Sequence, residues 1–262
     1  MSVVVIGDRA VGKTSMVLAL ADSSRSQCVK VISPDYESLK EDWVDHKEGT
    51  MIPTDSPVEK PLRLNVTLPR PTGDIDVQLT DTPGELWENK ELQKVMQAAW
   101  QGLKQKVSKS RYVILLLDPH RDLIQTSLLN SATEPVNRDD LQKPDAWRRR
   151  FALWLEFFNQ EAKTVKQILI CINKADLFCN LKDESERWQF NPSGNNDWAG
   201  HIGRIRRIYF SVAQDLIQEY NSKANGPSKL SFFITTKENR SMLETPWLYL
   251  AAYIAQDMKG GR

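Results

Sequence analysis

Residues Gly7-Asp8-Arg9-Ala10-Val11-Gly12-Lys13-Thr14 have the types and spacing to hold a phosphate. Two glycines bound a tight turn in which successive backbone N–H groups can converge on one phosphate oxygen. A helix starting at the turn, with Ser15 in its first residues, adds partial positive charge. Lys13 would reach the outer phosphates, and the Thr14 hydroxyl is an oxygen ligand suited to Mg²⁺. A second group, Asn173-Lys174-Ala175-Asp176, suits a purine base. The Asp176 carboxylate can accept from the N1–H and exocyclic amino group of guanine. Adenine offers no such pair of donors, and an unpaired buried acceptor is costly. Asn173 would tie this base pocket to the phosphate turn, and the Lys174 stem would cover the base plane. A third group, Asp81-Thr82-Pro83-Gly84, supplies a carboxylate for Mg²⁺ and, at Gly84, a backbone N–H that can approach a γ-phosphate closely.

The elements that must carry these groups are readable from periodicity. Val3–Ile6 is a continuous apolar strand, followed after the turn by a helix over about 13–21. The stretch 22–61 is polar and irregular, with room for a short strand at Cys28–Ile32 and a short helix at Ser38–His46. Leu62–Leu68 and Ile75–Leu79 alternate apolar and polar, which predicts an antiparallel hairpin running into Asp81. An amphipathic helix follows over about 88–106. Tyr112–Leu117, Ile168–Ile172 and Leu230–Ile234 are apolar throughout, as strands buried on both faces are. Between them the pattern predicts helices over 145–163 and 197–220 and a last helix from 242 or 245 to 257. The stretches 120–144 and 177–196 read as irregular inserts. Alternating strands and helices predict an α/β fold, a three-layer, mostly parallel six-stranded sheet with helices on both faces, in one domain over 1–262. The motif-bearing loops all follow strand carboxyl ends, where such sheets bind ligands.

Together these motifs resemble a P-loop GTPase of the Ras-like or translation-factor-related superfamily, and the match spans nearly the whole chain. The chain also resembles bacterial stand-alone GTPases of conflict and signalling systems. The resemblance implies a small-GTPase-like phosphate-loop fold, with Gly7–Thr14 cradling phosphates, Asp81–Gly84 on the Mg²⁺ and γ-phosphate side, and Asn173–Asp176 reading the base. It implies that Thr235-Thr236-Lys237 forms a second base loop, with Lys237 over the other base face. It also implies an effector-loop threonine whose oxygens reach Mg²⁺ and γ-phosphate; Thr54, after Pro53, is preferred and Thr50 is the alternative. Thr14, Thr54 and Asp81 would then hold the metal, and Lys13, Thr54, Gly84 and Glu85 would surround the reacting phosphate.

Two positions depart from the family pattern. Glu85 stands where small GTPases orient water with Gln; a carboxylate there repels γ-phosphate, and it equally suits a helix N-terminus. Arg9 stands where a small residue is usual, crowding an arginine finger from a partner or serving as one in cis. The expected activity is therefore Mg²⁺-dependent hydrolysis of GTP to GDP and phosphate, slow without a partner, in a molecular switch acting on an unidentified protein effector or regulator. The alternative is a GTP-binding sensor or scaffold with little turnover.

Composition adds exclusions. The chain has 262 residues, 40% hydrophobic and 26% charged, with net charge +1. That balance gives no global field for nucleic acid, and Arg148–Arg150 and Arg204–Arg207 read as solvated basic helix faces. The apolar stripe Trp147–Phe158 reads as core. Cys28, Cys171 and Cys179 form no disulfide framework or metal-ligand spacing, which fits a reducing cytoplasm. A strand starting at Ser2 or Val3 leaves no room for a signal peptide, and neither Ser2 nor Lys259–Arg262 suits lipidation, so no direct membrane anchor is expected.

Overall fold

The computed structural model describes residues 2–8, 10–25, 28–44, 61–68, 74–79, 94, 96–129, 136–192, 195–222 and 229–260. β1 (Ser2–Gly7) leads through a glycine-bounded turn into α1 (Lys13–Ala21). Then come β2 (Val29–Ser33), α2 (Tyr36–Trp43), β3 (Pro61–Val66), β4 (Asp74–Leu79), α3 (Gln97–Lys109) and β5 (Tyr112–Leu117). The one-turn helix α4 (Thr126–Leu129), α5 (Pro144–Glu161), β6 (Gln167–Ile172) and α6 (Leu181–Arg187) follow. The chain continues through α7 (Trp198–Tyr209), α8 (Gln214–Ser222), β7 (Lys229–Ile234) and α9 (Arg240–Gly260).

The strands form one mixed sheet in the order β2-β3-β4-β1-β5-β6-β7. β3 runs antiparallel to both β2 and β4, and every other pairing is parallel. The hairpin read from alternating residues is there, with Leu62 opposite Val77 and Leu64 opposite Ile75. The sheet has one strand more than the six expected, because Val29–Ser33 pairs with β3 as an edge strand. Its half-exposed pattern gave a weak apolar signal.

Strand side chains alternate between the two faces, and each face is covered. Val4, Ile6, Val113, Leu115, Ile170 and Phe232 pack against Leu103 of α3 and Phe151, Trp154 and Phe158 of α5. Val3, Val5, Ile114, Leu116, Cys171 and Phe233 pack against Met16, Val17 and Leu20 of α1 and Trp247, Leu250 and Ile254 of α9. The Trp147–Phe158 stripe is core, as expected.

Several boundaries differ from the sequence reading for local reasons. α2 starts earlier, at Tyr36, because Asp35 caps it by accepting from Ser38 N–H. The helix expected over 197–220 is two helices, broken by a 3-10 turn over Ser211–Ala213. Phe210 dives into the aromatic cluster of Trp147, Phe151 and Phe232, with its ring 4.8 Å from that of Phe232. Gln214 then satisfies the freed carbonyls of Arg206 and Phe210. The stretch 177–196 holds α6, capped by the Asn180 side chain. α9 begins at Arg240, earlier than the expected 242 or 245, and runs through Pro246.

The arginine clusters are not simple solvated faces. Arg150 is buried and pairs with Asp8, Arg204 pairs with buried Glu184, and Arg148 pairs with Asp215. Among the described residues no helix is long and apolar enough to cross a membrane.

Candidate nucleotide site

β1 ends at Gly7, β5 at Leu117, β6 at Ile172 and β7 at Ile234, and these carboxyl ends lie side by side from the centre of the sheet to its β7 edge. Gly7 sits where backbone crowds it: a Cβ there would lie 2.4 Å from the Leu116 carbonyl oxygen. Gly12 is left-handed at φ 89°, and a Cβ there would meet Asn173 Nδ2 at 2.6 Å. Both glycines of the turn are therefore required by close approach, not only by flexibility.

Gly12 precedes α1, whose first intrahelical bond runs from Met16 N–H to Gly12 O at 2.9 Å. Among the described residues no side chain caps this helix start, and its first turn holds no acid. The N–H groups of that turn remain available to an anion. Lys13 is buried, and its amino group donates to Gly7 O at 2.7 Å and Asp8 O at 2.6 Å. Thr14 and Ser15 are half-buried beside it.

The loop after β6 folds over this turn. Asn173 Nδ2 donates to Val11 O at 2.8 Å, and Asn173 Oδ1 accepts from Thr235 Oγ1 at 3.0 Å. One amide thus links the phosphate turn to both base loops. Lys174, left-handed at φ 59°, donates to Ala10 O at 3.2 Å and pairs with Asp118 at 2.7 Å. Thr236 donates its hydroxyl to Asp176 and itself accepts from Glu238 N–H at 3.2 Å. Backbone bonds from Asn173 N–H to Leu117 O, Thr235 N–H to Ile172 O and Ala175 N–H to Thr235 O extend the strand ladder into the loops.

These groups enclose a cavity of about 390 Å³. Ala10, Gly12 and Ser15 form its phosphate-turn side; Asn173, Lys174, Asp176, Thr236 and Lys237 form its other side. Of the residues singled out from sequence, the structure thus brings Gly7, Asp8, Ala10, Val11, Gly12, Lys13, Thr14, Ser15, Asn173, Lys174, Asp176, Thr235, Thr236 and Lys237 to one edge of the sheet. Arg9, Thr50, Thr54, Asp81, Gly84 and Glu85 lie outside the described residues.

Sequence reasoning missed three contributors. Asp118, just past β5, is half-buried and pairs with Lys174; partial burial pushes its carboxyl up, against the opposing pull of Lys174. Its position after a strand carboxyl end was the available signal. Arg150 lies behind the turn, its Nε 3.4 Å from Asp8 Oδ2. It falls at i+3 from Trp147 and i−4 from Trp154, on the buried stripe of α5, and that spacing could have revealed it. The third is the strip Val136–Leu141, which also lines the cavity and had no periodic signal.

No family model matches the sequence, and no curated protein matches it. Among solved structures the chain is similar to a crystal structure of an Aquifex aeolicus Era variant bound to GDP·AlF4−. Identity is 15%, the match covers 96% of this chain and 56% of that chain, and the TM-score is 0.39. The chain therefore spans little more than half the length of that protein's chain.

Proposed function

We propose that this chain binds guanine nucleotide at the carboxyl edge of its sheet and hydrolyses GTP to GDP and phosphate, with Mg²⁺, as a nucleotide-dependent switch. One observation carries the reading: a single cavity of about 390 Å³ joins an uncapped helix start behind a Gly-x-x-x-x-Gly-Lys-Thr turn to an aspartate on a base loop. The Asn173 amide bonds the two halves together at 2.8 Å.

A phosphate on the α1 N-terminus would draw the Lys13 ammonium away from Gly7 O and Asp8 O toward its own oxygens. Charge developing on the outer phosphate would be balanced there without reorganisation of solvent. Asp176, oriented by Thr236, presents acceptors that suit guanine and mismatch adenine. Lys174, fixed at Ala10 O and Asp118, lays its aliphatic stem along the base. Thr14, in the first turn of α1 beside Lys13, is an oxygen donor that fits Mg²⁺, which would supply positive charge to offset that of the phosphates. Thr54 and Asp81 are the remaining ligands in this reading, with Thr50 as the alternative to Thr54.

The test is phosphate release from GTP and from ATP with Mg²⁺, in wild type, Lys13→Ala and Asp176→Asn. GTP-selective release, lost in both variants, is expected. Release that prefers ATP would overturn the guanine reading. Tight GTP binding with no release would leave a nucleotide-gated binding module in place of an enzyme.

A further inference from the structure

The covalent structure of a nucleotide limits what can stand at the middle of this cavity. With the base on Asp176 and the phosphates on the Gly7–Thr14 turn, the ribose must lie between them, since it is their only link. Among the described residues that line the cavity and belong neither to the turn and α1 nor to the base loops, all but Asp118 come from the strip Val136–Leu141.

That strip is a built wall. A 3-10 turn over Arg138–Asp140 is anchored to a second one over Arg121–Leu123, with Arg121 N–H donating to Gln142 O at 2.8 Å and Arg138 Nε to Arg121 O at 3.2 Å. Asn137 shapes it from within. Its Oδ1 accepts from Asp139 N–H at 3.1 Å, and its Nδ2 donates to Asp140 Oδ1 at 3.2 Å. The amide of Asn137 is thus engaged in orienting Asp140, and Asp140 is the strip's carboxylate on the cavity wall.

Chemistry narrows what Asp140 can serve. A carboxylate repels phosphates, so Asp140 is unsuited to holding them, although it also borders Asp8 and Arg150 beside the turn. The guanine donors belong to Asp176 in this reading. Asp118 is engaged by Lys174 at 2.7 Å. What remains is a vicinal diol, whose two hydroxyls a carboxylate accepts through short, charge-assisted hydrogen bonds. We propose that Asp140 reads the ribose hydroxyls, so that the strip makes the site selective for ribonucleotides over deoxyribonucleotides. The proposal rests on the nucleotide reading above and adds a specificity residue to it, with Asn137 as its positioning residue.

The experiment is equilibrium binding of GDP and 2′-deoxy-GDP to the full chain, in wild type, Asp140→Ala and Asn137→Ala. Wild type is expected to prefer GDP by about tenfold, the scale of one hydrogen bond to a charged group. Asp140→Ala is expected to bind the two nucleotides equally, losing more affinity for GDP, which gives up both hydroxyl contacts, than for 2′-deoxy-GDP, which gives up one. A urea-unfolding midpoint matching that of wild type shows that the variant is folded. Asn137→Ala is expected to lie between, because the carboxylate survives but loses its orientation. A wild type that binds both nucleotides tightly and equally would overturn the ribose proposal alone, and so would a preference that survives in Asp140→Ala. No saturable binding of GDP by wild type would overturn the nucleotide reading and this proposal with it. A preference for adenine nucleotides with an Asp140-dependent ribose effect would overturn only the assignment of the base.

Discussion

Gly12 shows how tightly single residues are constrained at this edge of the sheet. Its φ of 89° already disfavours any side chain, and a Cβ would sit 2.6 Å from the Asn173 amide nitrogen that reaches Val11 O. Gly12→Ala therefore carries two penalties. Holding a non-glycine residue in the left-handed region costs about 1–2 kcal/mol, and displacing the Asn173 amide removes a buried hydrogen bond of about 1 kcal/mol. A loss of about 2–3 kcal/mol in urea unfolding is expected, with weakened nucleotide binding. Asn173→Ala leaves the backbone unstrained but unties the phosphate turn from both base loops. It is expected to weaken nucleotide binding more than stability, and equal losses in the two measurements would contradict the linking role.

At the scale of elements, one arginine joins three pieces of the chain. Buried Arg240, at the start of α9, donates to the carbonyls of Ala19 and Leu20 at the end of α1 and to Val29 O at the start of β2. It also pairs with buried Glu244 at 2.6 Å, and Glu244 accepts from Cys28 N–H at 2.8 Å. The helix after the base loop is thereby fastened to the far end of the phosphate helix and to the edge strand. Arg240→Ala strands a carboxylate that is 1% exposed and leaves helix-end carbonyls unsatisfied. Removing one partner of a buried pair costs about 3–5 kcal/mol, and a loss of that size in chemical unfolding is expected. The double change Arg240→Met with Glu244→Leu should recover part of the loss; a double variant as unstable as the single one would refute the pair's role. Lysine is not expected to substitute, because it cannot fork to several carbonyls at once.

Legibility in the sequence followed the same division. β1, β5, β6 and β7 announced themselves as apolar runs because both their faces are buried, and the β3–β4 hairpin because one face is. β2 and α6 were hard to see because neither presents a full apolar face: β2 is an edge strand, and the buried member of α6 is Glu184, held by Arg204. The phosphate turn and the Asn173 and Thr235 loops were visible because backbone geometry demands particular residue types there. Asp118 and Arg150 were not, since each pairs with a partner distant in sequence, and the strip around Asp140 has no periodic signal.

For the molecule as a whole, net charge is near zero at +1, so pH acts through individual buried groups. His201 on α7 is stacked on Trp188 with ring centroids 4.5 Å apart and lies near Phe233. Burial, then the neighbouring Arg204 charge, push its imidazole down to about 4. His120 is buried against Trp147, neither ring nitrogen has a hydrogen-bond partner among the described residues, and burial lowers it as well. An unfolded imidazole titrates at about 6.5. Below that pH the unfolded chain takes up protons that the native chain refuses, so the stability held above it is lost as pH falls toward the native value. For His201 the expected loss between about pH 7 and pH 5 is on the order of 2 kcal/mol, before most carboxylates titrate. Urea midpoints across that interval should therefore fall in wild type and fall less in His201→Gln, which cannot gain the charge. His120→Gln should flatten the profile further, and equal slopes in wild type and both variants would show that these imidazoles are protonated in the native chain without penalty.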